Sequence, residues 1–279
     1  TRQHAATYKP YFATPNGKVF DGYIECIAMG SDGKLWIGTQ DRLICWDRAR
    51  NTTRFVNYTL ADGSSPEEET IRSLTFDKSG LLWVGTTRYG LLLIDSNGDT
   101  RKHIAAGPGS ALPSGWITSL AHDKNGDLWI GTLRGLCKLN AATREVISFR
   151  NHPVLKKLAG EAVWTVWFDR SGRLWIGTYG NAWCYDPAAD SLQQHSISNG
   201  LSNERAVAFN EDRYHNTYIG SMYGLTVLRP DGSRLQYNRS NGLRNDKCEG
   251  ILCDDEGQLW ICNQRCILRF EPATQHVAV

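Results

Sequence analysis

Gly126-Asp127-Leu128-Trp129-Ile130-Gly131-Thr132 is a phrase that returns along the whole chain. It reads Gly33-Lys34-Leu35-Trp36-Ile37-Gly38-Thr39, then Gly80-Leu81-Leu82-Trp83-Val84-Gly85-Thr86, and again from Gly172 to Thr178. Two copies are degraded, Asn216-Thr217-Tyr218-Ile219-Gly220-Ser221 and Gly257-Gln258-Leu259-Trp260-Ile261-Cys262-Asn263. The aromatic positions are 36, 83, 129, 175, 218 and 260, so the period runs from 47 down to 42 residues. Self-similarity of this kind decides the fold before any residue-level reading. Six copies span essentially all 279 residues, and we expect one domain over 1–279.

Each unit has one grammar. A short alternating apolar run comes first, such as Ile71-Arg72-Ser73-Leu74-Thr75-Phe76 or Val163-Trp164-Thr165-Val166-Trp167-Phe168. A turn with Asp or Asn before Gly follows, where Gly supplies the positive φ of a tight hairpin. The Leu-Trp-Ile-Gly-Thr strand is next. Its Trp fills space between packed sheets, and its Gly admits a neighbour's backbone or side chain. A third strand such as Gly90-Leu91-Leu92-Leu93-Ile94-Asp95 and a more polar fourth, such as Arg54-Phe55-Val56-Asn57-Tyr58, end the unit.

Four strands at a period in the forties predict propeller blades. Leucine-rich repeats are shorter, and helical repeats would show apolar spacings of three and four. The fold expected is all-β, a six-bladed β-propeller of four-stranded antiparallel blades. The N-terminal Tyr8-Lys9-Pro10-Tyr11-Phe12 reads as a fourth strand without its own blade, expected to complete the last one and close the ring. Such a clasp removes open sheet edges. The alternative is an incomplete seven-bladed ring.

Bulk composition narrows the function classes. Hydrophobic residues make up 41% and charged residues 22%, ordinary for a globular chain. A net charge of +2 gives no global field that would steer a nucleic acid. No segment approaches the roughly 20 apolar residues of a membrane helix, and the opening Thr1-Arg2-Gln3-His4 is not a signal pattern. Eight cysteines, at 26, 45, 137, 184, 248, 253, 262 and 266, form no CxxC pair. Most sit in apolar strand patterns and read as small buried thiols, which points toward a reducing compartment. Cys262 with Cys266, and Cys248 with Cys253, have the spacing of a weak disulfide or zinc signal. Asn51, Asn57 and Asn238 begin Asn-x-Ser/Thr triplets, relevant only in a glycosylating host.

The unit pattern Ile-x-x-Leu-x-x-Asp-x-x-Gly-x-Leu-Trp-Ile-Gly-Thr-x-x-Gly-Leu, matched nearly throughout by Ile117 to Leu136, resembles the two-component regulator propeller repeat. The resemblance implies a periplasmic or extracellular sensor propeller of a membrane histidine kinase, many of which detect breakdown products of complex polysaccharides. Such sensors usually carry two propellers, a β-sandwich, a membrane helix and kinase domains. None of these is in this sequence beyond the one propeller, so signalling would fall to other domains or partners. A looser similarity is to the streptogramin lyases, propeller enzymes that use a divalent metal.

In a propeller, the loops from second to third strand and the approaches to each inner strand share one face, so equivalent positions converge. The loops hold Asp41-Arg42, Arg88-Tyr89, Leu133-Arg134, Tyr179-Gly180, Met222-Tyr223 and Gln264-Arg265. The approaches add Tyr23, Arg72, Trp116, Trp164, Arg205 and Lys247. Arg offers a planar fork for carboxylate, sulfate or phosphate, and aromatic faces stack on sugar rings or on cations. The ligand-binding candidates are therefore Tyr23, Arg42, Arg72, Arg88, Tyr89, Trp116, Arg134, Trp164, Tyr179, Arg205, Tyr223, Lys247 and Arg265. The ligand expected is a small molecule or oligosaccharide, in particular an anionic carbohydrate. The competing role for any one Arg is structural, pairing with Glu25, Glu69, Glu161, Glu204, Asp246 or Glu249 on the same face.

No catalytic, metal or cofactor site is expected. The His residues, at 4, 103, 122, 152, 195, 215 and 276, show no HExxH or paired spacing. His122 falls late in an inner strand, toward the opposite face. His103 and His195 fall on outer strands, where solvation is the expectation. No Gly-x-Ser-x-Gly elbow or phosphate-cradling loop occurs. The leading function is ligand recognition. Its alternatives are a metal-dependent lyase, which needs His and Glu converging on an ion, and a protein-binding platform, which needs an exposed apolar patch.

Overall fold

The structure is a computed structural model, and the residues it describes are 22–66, 68–243, 246–262, 267–271 and 276–278. The fold is all-β, a six-bladed propeller of four-stranded antiparallel blades. Blade one is β1 Ile24–Met29, β2 Leu35–Thr39, β3 Leu43–Asp47 and β4 Thr52–Val56. Blade two is β5 Ile71–Phe76, β6 Leu82–Thr86, β7 Leu91–Ile94 and β8 Thr100–Ile104. Blade three is β9 Ile117–His122, β10 Leu128–Thr132, β11 Gly135–Leu139 and β12 Val146–Ser148. Blade four is β13 Val163–Phe168, β14 Leu174–Thr178, β15 Ala182–Asp186 and β16 Ser191–His195. Blade five is β17 Ala206–Glu211, β18 Thr217–Ser221, β19 Gly224–Leu228 and β20 Arg234–Tyr237. Blade six is β21 Gly250–Cys253, β22 Leu259–Cys262, β23 Ile267–Glu271 and β24 His276–Ala278. Contacts divide the chain into two compact units between Ala105 and Ala106, the first holding blades one and two, the second blades three to six.

The last blade corrects one expectation. Its fourth strand is the C-terminal β24, whose Val277 pairs with Phe270 of β23. The place assigned to Tyr8–Phe12 is therefore filled by the chain's own end, and Tyr8–Phe12 lies outside the described residues.

In blades two to six the turn between the first and second strands is built by one aspartate. Asp123 Oδ1 accepts from the backbone N–H of Asn125 and Asp127, at 2.9 and 3.0 Å. Its Oδ2 accepts from the Trp129 indole at 3.1 Å. The same link, six residues apart, joins Trp175 to Asp169 at 3.0 Å, the Tyr218 hydroxyl to Asp212 at 2.9 Å and Trp260 to Asp254 at 2.7 Å. The carboxylate fixes the turn and gives a buried ring its polar partner, which a buried indole or phenol needs. Glycine takes the left-handed position at Gly126 and Gly172, with φ of 89° and 82°. In the degraded fifth copy His215 occupies that position at φ 63°, held by Glu211 at 2.7 Å.

The core lies between successive blades. In the first unit Trp36, Leu43, Cys45 and Val56 pack against Ile71, Leu74, Val84 and Ile94. In the second, Trp129 packs with Phe149, Phe168 and Tyr185, and Trp175 with Phe209. Tyr218 meets Phe270 edge-on. Trp36, Trp129, Trp175 and Tyr218 are buried, as their repeat position predicts. Trp260 departs from the pattern and is 40% exposed.

Candidate binding face

The face is defined by a backbone irregularity that repeats. In blades one to five the first residue of the inner strand pairs with the last of the second strand: Ile24 with Thr39, Ile71 with Thr86, Ile117 with Thr132, Val163 with Thr178, Ala206 with Ser221. The next residue is extra and bulges: Glu25, Arg72, Thr118, Trp164 and Val207. Bulges re-aim side chains. The candidates therefore occupy two different registers. Arg72 and Trp164 are bulge residues, whereas Tyr23, Trp116 and Arg205 precede their strands by one position. Across the loop, the threonine of the repeat phrase closes the turn with its hydroxyl, from Thr86 Oγ1 to Gly90 O at 2.9 Å and from Thr132 Oγ1 to Gly135 O at 2.8 Å.

In the first unit, carboxylates take up the arginines. Arg42 pairs with Asp41, whose carboxyl the hydrogen bond from Arg42 holds below the usual range. The Arg42 guanidinium also lies 4.6 Å over Phe55. Arg72 pairs with Glu25, so the bulge residues of two adjacent blades meet. Glu69, only 1% exposed, accepts from the Thr87 backbone and hydroxyl and from the Arg88 backbone and Nε. Arg88 in turn covers Tyr89, 5.6 Å from the ring centroid. Tyr23 stands 74% exposed.

The second unit differs. Trp116 and Arg134 line a cleft of about 710 Å³, with Leu133, Arg150 and the loop 106–115. Leu112, 2% exposed, anchors that loop. Serine hydroxyls shape it: Ser110 Oγ accepts from Leu112 N and Ser114 Oγ from Trp116 N, each at 3.1 Å. The Trp116 carbonyl accepts from Leu133 N at 3.3 Å, tying the approach to the loop after β10. Trp116 is 42% exposed. Arg134 and Arg150 are exposed, and among the described residues neither has a carboxylate at ion-pair distance. Arg150 escaped the sequence reading because it follows a fourth strand, at the same end of the blade but outside the loops read.

At the same end of the next two blades, the Arg205 guanidinium lies 4.2 Å over the Trp164 ring. Arg205 Nε and the Trp164 indole N–H are both buried without a partner. Tyr179 and Tyr223 are 63% and 67% exposed. Lys247 is half-buried, and Arg265 lies outside the described residues.

Other reactive groups are in structural positions. Burial pushes the thiols of Cys26, Cys184 and Cys248 up to about 12 and that of Cys137 higher still, which disfavours the nucleophilic thiolate. The seven described cysteines are free thiols. Among the described residues no three His, Cys, Asp or Glu side chains come together as a metal site. His195 corrects a second expectation. It is 2% exposed, because the last position of β16 turns its ring onto Trp175, 5.2 Å away and 30° from parallel.

No curated protein sequence matches the chain. Among solved structures, the extracellular domain of a hybrid two component system from B. thetaiotaomicron superposes with a TM-score of 0.70 at 22% identity, over 85% of this chain and 32% of that one. That of a second such system from the same organism gives 0.67 at 17%, over 92% and 40%. Virginiamycin B lyase from Staphylococcus aureus gives 0.66 at 13%, over 93% and 84%. The chain thus spans about a third to two-fifths of the length of those two extracellular domains. The family model described as two component regulator propeller matches residues 18–41 and 111–134, segments that include the first two strands of blades one and three.

Proposed function

We propose that this chain is the recognition module of an extracellular or periplasmic sensor, and that it binds an anionic carbohydrate fragment in the cleft lined by Trp116, Arg134 and Arg150. The supporting observation is the contrast between the units. Arg42, Arg72 and Arg88 already have carboxylate partners, whereas Arg134 and Arg150 face open space beside a half-exposed indole. A guanidinium fork matches a uronate or sulfate, and an indole face takes a sugar ring. A volume of about 710 Å³ falls within the range of organic ligand sites. Tyr179, Tyr223, Lys247 and the Trp164–Arg205 stack extend the surface in the same unit. The location is that of the sensor domains sharing the fold. Transmission of the signal belongs to domains or partners beyond this chain.

Isothermal titration with matched acidic and neutral oligosaccharides tests the reading. Measurable binding of the acidic member alone supports it, and equal or absent affinity for both ends it.

A further inference from the structure

A second, smaller cleft of about 200 Å³ opens on the outer flank of the second unit, between blades four and five. Blade four contributes Arg173, Trp175 and His195, and blade five contributes Arg229 and Arg234. None of the loop-face candidates lines it.

Its polar groups are mostly donors. Arg234 Nη2 lies 3.4 Å from His195 Nδ1. A guanidinium has no acceptor, so Nδ1 accepts and the ring proton of the neutral imidazole sits on Nε2. That N–H is buried and has no partner. Burial, with the charges of Arg234 and Arg173, pushes the imidazole down to about 4, so the ring stays neutral. Arg173 is answered by Asp169, whose Oδ2 is 2.8 Å from Nε. Among the described residues Arg234 reaches only the amide oxygen of Asn199, at 3.4 Å, besides the histidine. Among the described residues no carboxylate is at ion-pair distance from Arg229 or Arg234.

A cleft with two cations that no carboxylate answers calls for an anion. Its volume lies below the roughly 300–1,000 Å³ of organic ligand sites, which selects a small ion or a single charged substituent. We propose that this cleft binds one tetrahedral oxyanion, a sulfate or phosphate group, held by Arg229 and Arg234, with the His195 ring as a neutral wall beside Arg234. Occupancy would stabilise the folded chain by mass action.

The test uses the whole chain with inorganic sulfate and phosphate against chloride at matched ionic strength. Titration calorimetry should give saturable binding to the oxyanions, and the proton signals of the His195 ring, beside Arg234, should shift with them and not with chloride. Arg234→Gln, or Arg229→Gln in the exposed turn should the first variant fold poorly, should weaken binding by about tenfold or more, the loss of a charge-assisted hydrogen bond. A sulfated monosaccharide is the second arm. Affinity equal to inorganic sulfate identifies the free ion as ligand, and a much higher affinity identifies a sugar-borne group. Non-saturable stabilisation, equal in wild type and variants, is general salt exclusion and overturns the proposal. So does an unmoved His195 signal.

Discussion

Gly177→Ala isolates the reason for the glycine in the repeat phrase. A Cβ at Gly177 would lie 2.3 Å from the carbonyl oxygen of Ala206 and 2.7 Å from Thr165 Cγ2. The obstructing oxygen belongs to the backbone of the next blade's inner strand, which must retreat by about 1 Å before ordinary contact at 3.4 Å is restored. Gly177 is outside the left-handed region, so backbone conformation adds no strain and alanine would by itself gain about 0.4–1 kcal/mol from the unfolded state. Overpacking costs about 1–3 kcal/mol, toward the upper end when backbone must move. The net is about 2 kcal/mol of destabilisation. At about 2–4 °C per kcal/mol for a chain near this size, the midpoint should fall by about 4–8 °C. Gly131→Ala is the internal control. Its Cβ meets Val163 Cγ1 at 2.9 Å and Thr118 Oγ1 at 3.0 Å, with backbone no nearer than 3.5 Å, so the required shift is a few tenths of an ångström and falls on side chains. Thermal unfolding followed by near-ultraviolet circular dichroism should place it within about 1 kcal/mol of the parent, once the glycine entropy gain is counted. A Gly177→Ala midpoint matching the parent, or falling less than that of Gly131→Ala, would refute the packing argument.

Asp169→Ala strips the Trp175 indole, which is 1% exposed, and Arg173 of their shared acceptor. It should destabilise by about 2–4 kcal/mol in urea titrations, because a buried donor is left unmet. His195 makes stability pH-dependent. The fold favours the neutral ring, at about 4 against an ordinary 6.5, so the unfolded chain binds the extra proton in that window and stability is lost as pH falls through it. The upper part of that loss, above the carboxylate range, should flatten in His195→Gln when melting is followed from pH 7 to 5. Alkylation of the native chain near pH 8, mapped by mass spectrometry, should label exposed Cys262 well before Cys137 or Cys184, whose thiols burial holds undissociated. Arg134→Gln should weaken binding of an acidic oligosaccharide by about tenfold or more, while Arg42→Gln should leave the affinity unchanged, which titration calorimetry reads directly.

The blade architecture was legible because its determinants are local and repeated. Trp36, Trp129, Trp175 and Tyr218 recur where a large ring must fill the gap to the next sheet of the same unit, and each is buried there. The aspartate six residues before Trp129, Trp175 and Tyr218, replaced by Gly30 before Trp36, carried a second signal, readable in the sequence only as turn chemistry. Blade closure was not legible, since a strand-like end such as Tyr8–Phe12 fits a sheet edge on pattern alone, while β24 lay in a weaker stretch. The binding candidates were found by type and mixed in register. Composition could not separate Arg88, consumed by buried Glu69, from Arg134, because that difference depends on which carboxylate reaches which loop. His195 was misjudged because a fourth strand is polar on average, and a single inward position is invisible to that average.

The most direct test of the central claim is a crystal structure of the chain with an acidic oligosaccharide bound. The account predicts a sugar ring against the Trp116 indole, with its carboxylate or sulfate on Arg134 and Arg150. A ligand seated elsewhere, with that cleft empty at saturating concentration, would contradict it.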